Sequence, residues 1–101
     1  MNFIERTTQK VRQGKWEELD EIDKKFNAVE ARFGFPAKKR YRCVAGNHDG
    51  NTLVIERQWA SLATMEATYE KIFADSTYQQ LVKEVDSVIE SNQMELYTPL
   101  P

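Results

Sequence analysis

Two stretches of the chain repeat apolar residues every three or four positions, which is the pattern of helices that bury one face. The first predicts a helix that opens at Lys15 or Trp16. Gly34 is expected to follow this helix with a positive φ, and Pro36 prevents further winding. The apolar seam of the helix consists of Trp16, Leu19, Ile22, Phe26, Val29 and Phe33.

The second stretch, residues 59–92, predicts a strand end followed by a long amphipathic helical segment. Ser61 is placed to cap it, because its hydroxyl can accept a hydrogen bond from a free amide of the first turn. The polar run at residues 75–77 predicts a kink or short break with a new helix start. The apolar positions on either side of the break are Leu62, Met65, Tyr69, Ile72, Phe73, Tyr78, Leu81, Val82, Val85, Val88 and Ile89.

Alternation of polar and apolar residues predicts four strands, at residues 2–11, 35–45, 52–59 and 93–98. The order β-α-β-β-α-β then indicates an α+β, ferredoxin-like fold. Its four-stranded antiparallel sheet has the strand order 4-1-3-2, with the helices on one face. We expect residues 1–101 to form a single domain with one modest core.

The second and third strands are predicted to form a hairpin, because residues 46–50 have the composition of a turn. If Ala45 lies opposite Asn51 or Leu53, then Tyr41 falls on the same sheet face as Ile55, and both registers place Cys43 there as well. They also put Glu56 across from Arg40 or Arg42. The charged residues assigned to the other face are Arg40, Arg42, Glu56 and Glu95.

The sheet face away from the helices is predicted to be bare and to carry Val44, Val54 and Tyr97 beside charges. Two such faces in contact would form a barrel-like homodimer. The charged residues of that face would then form cross-strand ion pairs in the interface, or would line a polar cavity between two sheets.

Composition and charge exclude several classes of function. Apolar residues make up 41% and charged residues 30% of the 101 residues, so disorder is not expected. A net charge of −2 argues against a nucleic-acid partner. The one feature that favours such a partner is the basic stripe at residues 38–42. The single Cys43 fits a reducing compartment, and no apolar run is long enough to span a membrane. We therefore predict a cytoplasmic protein without a membrane partner.

Three short segments resemble a known superfamily. They are Gly14, Lys15 and Trp16; Trp59, Ala60, Ser61 and Leu62; and Phe73, Ala74, Asp75, Ser76, Thr77 and Tyr78. The chain resembles the dimeric α+β barrel proteins, in particular NIPSNAP-like and uncharacterised members related to antibiotic-biosynthesis-monooxygenase-type proteins. The resemblance implies a ferredoxin-like fold and a homodimer. It does not imply one function, because the superfamily includes cofactor-free monooxygenases, lactone isomerases, haem enzymes and members without known activity.

No cofactor or metal is expected. Similar haem-degrading proteins hold iron with a histidine on the last long helix, shortly after the position of Tyr78, where this chain has glutamines at 79 and 80. The lone His48 is predicted on an exposed turn, where it is either solvated or, beside Asp49, a proton shuttle. Cys43 is interpreted as a small buried apolar residue, and Lys38 as part of a solvated strand start.

The predicted ligand-binding residues are Tyr41, Arg57 and Trp59. Arg57 interrupts an apolar strand face between Ile55 and Trp59, so its charge needs a helix glutamate, access to water or an anionic ligand. In the predicted register, Tyr41 joins Arg57 and Trp59 around one pocket suited to a flat aromatic or carboxylic compound. The alternative for Tyr41 is a core aromatic residue with its hydroxyl bonded to a neighbour.

The leading hypothesis is a homodimer that binds a small aromatic or carboxylic metabolite in a pocket between sheet and helices. One alternative is a cofactor-free monooxygenase-like or isomerase-like enzyme. Arg57 would then orient the substrate, Tyr41 would donate a hydrogen bond to a developing oxyanion, and Trp59 would form a stacking wall. The other alternative is a purely structural dimerisation module with a filled core.

Overall fold

The computed structural model describes residues 2–101, which form four antiparallel strands covered on one face by helices. The elements in chain order are β1 (Phe3–Val11), α1 (Trp16–Arg32), β2 (Lys38–Arg42), β3 (Thr52–Trp59), α2 (Leu62–Phe73), α3 (Ser76–Val85) and β4 (Ile89–Tyr97). The strand order β2-β3-β1-β4 confirms the predicted α+β, ferredoxin-like topology.

Helix α1 begins and ends where its sequence predicts. Leu19, Ile22 and Val29 of its seam are buried, because the seam faces the sheet. Gly34 follows with a φ of 76°, and the amide of Phe35 donates to the carbonyl oxygen of Glu30 at 3.1 Å. Gly34 thus ends the helix in a left-handed backbone conformation, as was expected.

The predicted Ser61 cap is confirmed, and so is the new helix start at residues 75–77, where Asp75 is the capping residue. The Ser61 hydroxyl accepts a hydrogen bond from the Thr64 amide at 3.1 Å, and α2 begins there. The Asp75 carboxylate accepts one from the Tyr78 amide at 2.9 Å, and α3 begins there. Each cap satisfies an amide that has no partner within its own helix.

The predicted end of the second helical stretch is wrong. Helix α3 ends at Val85, and β4 begins at Ile89 rather than at residue 93. Val88 turns the chain into the sheet, since its carbonyl oxygen accepts from the Arg12 amide at 2.8 Å, and Ile89 then pairs with Val11. A buried Val88 and Ile89 suit a helix seam and a strand start equally well, so periodicity does not separate the two.

The predicted hairpin register is also wrong. Strand β2 ends at Arg42, a loop covers residues 43–51, and Tyr41 pairs with Val54 while Arg40 pairs with Ile55. Tyr41 and Ile55 therefore lie on opposite faces, because a shift of one residue reverses every side chain of a strand. The loop is longer than the predicted turn at residues 46–50, and the Arg42 guanidinium donates to the Gly50 carbonyl oxygen at 2.7 Å.

The corrected register moves several charged side chains. Arg40 faces the helices and donates to Asp20 at 2.9 Å. Glu56 lies across from Lys39, not from an arginine of β2, and its carboxylate pairs with Arg6 of β1 at 2.8 Å. Arg42 likewise faces the helices, as its pairing with Leu53 requires, whereas Glu56 and Glu95 remain on the open face.

The apolar residues of the open face are not all those that were predicted. Val54 and Tyr97 lie on it, but Val44 lies in the loop after β2 and is 97% exposed. Tyr41 takes a place on this face instead. Within residues 2–101, none of the helices combines the length and hydropathy needed to cross a membrane.

Candidate functional site

A cavity of about 700 Å³ lies between the sheet and the helices. Its size falls within the usual range for sites that bind small molecules. The wall is largely apolar, with Leu19, Phe26, Leu53, Ile55, Met65, Tyr69, Phe73, Tyr78, Val82, Val85, Ile89 and Met94. A pocket was predicted at this position. The alternative of a dimerisation module with a filled core does not fit a domain that contains this cavity.

Arg57 of β3 is the buried cation on this wall. Its side chain is 7% exposed, and its Nη2 donates to Oε2 of Glu30 on α1 at 2.7 Å. The ring of Phe35 lies 4.9 Å from the guanidinium carbon. Among residues 2–101, nothing accepts a hydrogen bond from Nη1, although that atom is buried. Arg57 thus pairs with a helix glutamate, which was one of the partners predicted for it, and its second terminal nitrogen has no acceptor.

Glu5 of β1 lies directly across from Arg57 in the sheet and is 2% exposed. One carboxylate oxygen accepts from Nε1 of Trp59 at 3.0 Å, and the other accepts from the hydroxyl of Tyr69. Both oxygens are therefore bonded to neutral donors, which fixes the rotamer of this buried acid. Glu5 links β1 to α2 beneath the cavity.

Two tyrosines of the cavity wall are held in the neutral form. Burial raises the pKa of the Tyr69 phenol, and the hydrogen bond to Glu5 raises it further, while Arg57 acts in the opposite direction. Burial also raises the pKa of Tyr78, with the charge of Glu30 as the second cause. Both hydroxyls therefore remain protonated at neutral pH and can serve as donors.

A second buried cation supports the first. Lys38, at the start of β2, is 9% exposed, and its ammonium lies 2.5 Å from Asp23 and 3.4 Å from Glu30. Glu30 is thus shared between Lys38 and Arg57, which ties α1 to two neighbouring strands. The prediction that Lys38 belongs to a solvated strand start is wrong, because Lys38 lies on the face that α1 covers.

Aromatic rings form a continuous chain beside these charges. Tyr69 contacts Phe35, Trp59 and Phe73, with ring centroids 5.0, 5.8 and 5.5 Å away. Phe73 continues to Tyr78 at 5.9 Å. Such rings offer a flat ligand edges and faces on which to pack.

The three predicted site residues do not lie together in the structure. Arg57 lines the cavity, whereas Trp59, 1% exposed, lies behind Glu5 and orients it rather than forming a stacking wall. Tyr41 is 49% exposed on the opposite sheet face, so its predicted convergence with Arg57 is wrong. The phenol beside Arg57 comes from Tyr69 instead.

Sequence reasoning missed Glu5, Glu30 and Tyr69 as site residues. A signal for Glu5 existed, because a cation inside an apolar strand face calls for an acid on a neighbouring strand. Locating that acid requires the register between β1 and β3, whose paired residues are some 50 positions apart in sequence. Glu30 and Tyr69 give no local signal, since each also fits an ordinary helix position.

The remaining candidates lie outside the cavity. His48 is exposed in the loop between β2 and β3. Cys43 lies at the start of that loop, not in a strand, and its half-buried thiol donates to the His48 carbonyl oxygen at 3.2 Å. Across residues 2–101, no three side chains of His, Cys, Asp or Glu are grouped as a metal ion would require.

These features define a ferredoxin-like α+β domain with a cavity under its helices. The sequence matches no protein-family model and no curated protein. Solved structures do match. A NIPSNAP family protein from Agrobacterium tumefaciens is 20% identical, with a TM-score of 0.83 over 99% of this chain and 94% of that one.

Two further structures show the breadth of the likeness. An uncharacterised NIPSNAP domain protein from Burkholderia xenovorans is 16% identical, with a TM-score of 0.84 over 97% of this chain and 94% of that one. SnoaB, a cofactor-independent oxygenase from Streptomyces nogalater, is 14% identical, with a TM-score of 0.72 over 99% and 94%. The fold implied by the sequence resemblance is confirmed.

Proposed function

We propose that the protein binds a small aromatic or carboxylic metabolite in the cavity between sheet and helices. One oxygen of the ligand accepts a hydrogen bond from Nη1 of Arg57. The observation that carries this proposal is a buried guanidinium nitrogen without an acceptor on a mainly apolar cavity wall.

The energetics favour a bound acceptor. A buried N–H group without a partner costs about 1 to 3 kcal/mol, more when the group is charged, and a ligand oxygen removes that cost. Glu30 holds the guanidinium in place before the ligand arrives, so little side-chain entropy is lost on binding. The rings of Tyr69 and Phe73 supply packing for a flat ligand.

Calorimetric titration of small aromatic ketones and carboxylates into wild type and Arg57→Lys tests the proposal. The lysine keeps the charge that Glu30 needs but loses the planar fork and its second nitrogen. We expect Arg57→Lys to weaken binding about tenfold or more.

The matched control is Arg6→Lys. Arg6 is also a strand arginine paired with a glutamate, Glu56, but it lies on the open face. This variant is expected to bind like the wild type. A ligand that binds Arg57→Lys as tightly as wild type contradicts the proposed site. The proposal is also contradicted if none of the compounds binds wild type at millimolar concentration.

A cofactor-free monooxygenase-like or isomerase-like activity is the second candidate. It is favoured by the protonated phenol of Tyr78 and the second guanidinium nitrogen of Arg57 on one cavity wall, which would stabilise oxyanion charge. The fold that the chain shares with SnoaB is consistent with it. Ligands found by titration are incubated in air and followed by NMR, and their conversion would favour this candidate over binding alone.

We further propose that the open sheet face joins two copies into a homodimer. Ile4, Tyr41, Val54 and Tyr97 give that face apolar area between its ion pairs, which is the composition of many interfaces. A cytoplasmic location and a single-domain organisation remain predictions from the sequence.

A further inference from the structure

The cavity wall carries a strong excess of negative charge. Six carboxylates face two cationic side chains, a formal excess of four negative charges. The carboxylates are those of Glu5, Asp23, Glu30, Glu66, Glu70 and Asp86, and the cations are Lys38 and Arg57. The wall as a whole thus repels a purely anionic ligand, although Arg57 alone would attract one.

The six carboxylates fall into two groups. Glu5, Asp23 and Glu30 lie deep and are bonded to Trp59, Tyr69, Lys38 and Arg57. Glu66, Glu70 and Asp86 are exposed where the cavity meets solvent. We call these three the acidic rim.

The acidic rim is unpaired. None of its carboxylates forms an ion pair or a side-chain hydrogen bond with another residue between 2 and 101. Glu66 and Glu70 are four positions apart on α2, so they project from the same side of the helix. Arg57 on the cavity wall thus has one guanidinium nitrogen without an acceptor, and the rim has free carboxylates.

We propose that the ligand is an aromatic compound with two different ends, an oxygen acceptor that meets Arg57 and a protonated amine that meets the acidic rim. This inference rests on the proposed binding function and names the ligand class. The rings of Tyr69, Phe73 and Tyr78 on the same wall suit both the aromatic body and the cation.

Three para-substituted acetophenones test the charge of the ligand. The cation 4-(aminomethyl)acetophenone and the neutral 4-methylacetophenone differ at the outer end and can offer Arg57 only the acetyl oxygen. The anion 4-acetylbenzoate can turn its carboxylate to Arg57 instead, so it measures how well the cavity accepts a purely anionic ligand. We expect the cation to bind about fivefold or more tightly than the neutral compound, and the anion to bind most weakly.

The charge preference should come from the rim. The double variant Glu66→Gln with Glu70→Gln is expected to lower the cation-to-neutral affinity ratio clearly, with Asp86 keeping part of it, and high salt should lower the ratio in wild type. The matched control is Glu17→Gln with Glu21→Gln, which removes two exposed glutamates at the same spacing on α1, outside the cavity. It should leave the ratio unchanged.

The outcomes separate the two proposals. If none of the three compounds binds at millimolar concentration, the binding function itself is contradicted. If the anion binds as tightly as the cation, the binding function stands and the two-ended ligand is wrong. The ligand class is also overturned if the double variant keeps the full wild-type preference for the cation, because a rim that has lost two of its three carboxylates should hold a cation less tightly.

Discussion

Tyr69 couples the cavity to the buried acid beneath it. Its hydroxyl donates to Glu5, while its ring contacts Phe35 and Phe73. Burial and Glu5 both raise the pKa of this phenol, so the folded protein keeps its proton under conditions where an unfolded chain, with a tyrosine pKa near 10, releases it. The same side chain thus serves the cavity wall and the stability of the fold.

This coupling predicts an alkaline effect on stability. Below about pH 10, Tyr69 is protonated in both states and contributes no pH dependence. Above it, the unfolded chain binds fewer protons than the folded one, so the free energy of unfolding falls as pH rises. In Tyr69→Phe this fall should be shallower, as measured by urea unfolding between pH 9 and 11. At pH 7 the variant should lose about 1 kcal/mol with its hydrogen bond.

Tyr78, whose pKa burial also raises, should keep part of the slope in Tyr69→Phe. A slope in Tyr69→Phe as steep as in wild type would show that the Tyr69 phenol ionises as freely in the folded protein as in the unfolded chain.

At the scale of elements, the N-cap of α3 holds one wall of the cavity. Asp75 accepts from the Tyr78 amide, and α3 then presents Tyr78, Val82 and Val85 to the cavity. Asp75→Ala should lower the free energy of unfolding by about 1 kcal/mol, because the first turn of α3 loses its acceptor. Asp75→Asn keeps an acceptor and removes the charge near Arg32, so it should cost clearly less. Chemical denaturation of both variants measures the difference, and an equal loss would assign the effect to charge.

The same elements show what sequence patterns could predict. The cap at Ser61, the helix start at residues 75–77 and the stop at Gly34 were predicted because each depends on residues within one helical turn. The register of β2 against β3 depends on a loop that Arg42 and Gly50 bridge, and the two predicted registers missed it by one and by three residues. Either shift, being odd, puts Tyr41 on the wrong face of the sheet.

The candidate site was predicted only where a single residue carried the signal. Arg57 was found because a charge in an apolar strand face is anomalous in the sequence itself. Glu5 and Glu30 lie 52 and 27 positions away in sequence, and the fold alone brings them to Arg57. The acidic rim is also a product of the fold, since exposed glutamates on a helix usually signify a solvated face.

At the scale of the whole molecule, the proposed homodimer depends on the open sheet face. Strands of up to nine residues make a face of roughly 30 by 20 Å, comparable with the area that each partner contributes to a standard interface. The Arg6 to Glu56 ion pair and the Tyr97 ring beside Arg6 satisfy charges within the face itself. A second copy can therefore cover it without leaving Arg6 unpaired.

Val54 lies on this face between Thr8 of β1 and Tyr41 of β2, near the middle of the sheet. Val54→Lys would place an unpaired ammonium in the interface, at a cost on the order of several kcal/mol. Light scattering at micromolar concentration should give about twice 11.8 kDa for wild type and 11.8 kDa for Val54→Lys. Val44→Lys makes the same chemical change in the exposed loop and should remain dimeric. A wild-type particle of 11.8 kDa would refute the dimer, and a dimeric Val54→Lys would move the interface to another surface.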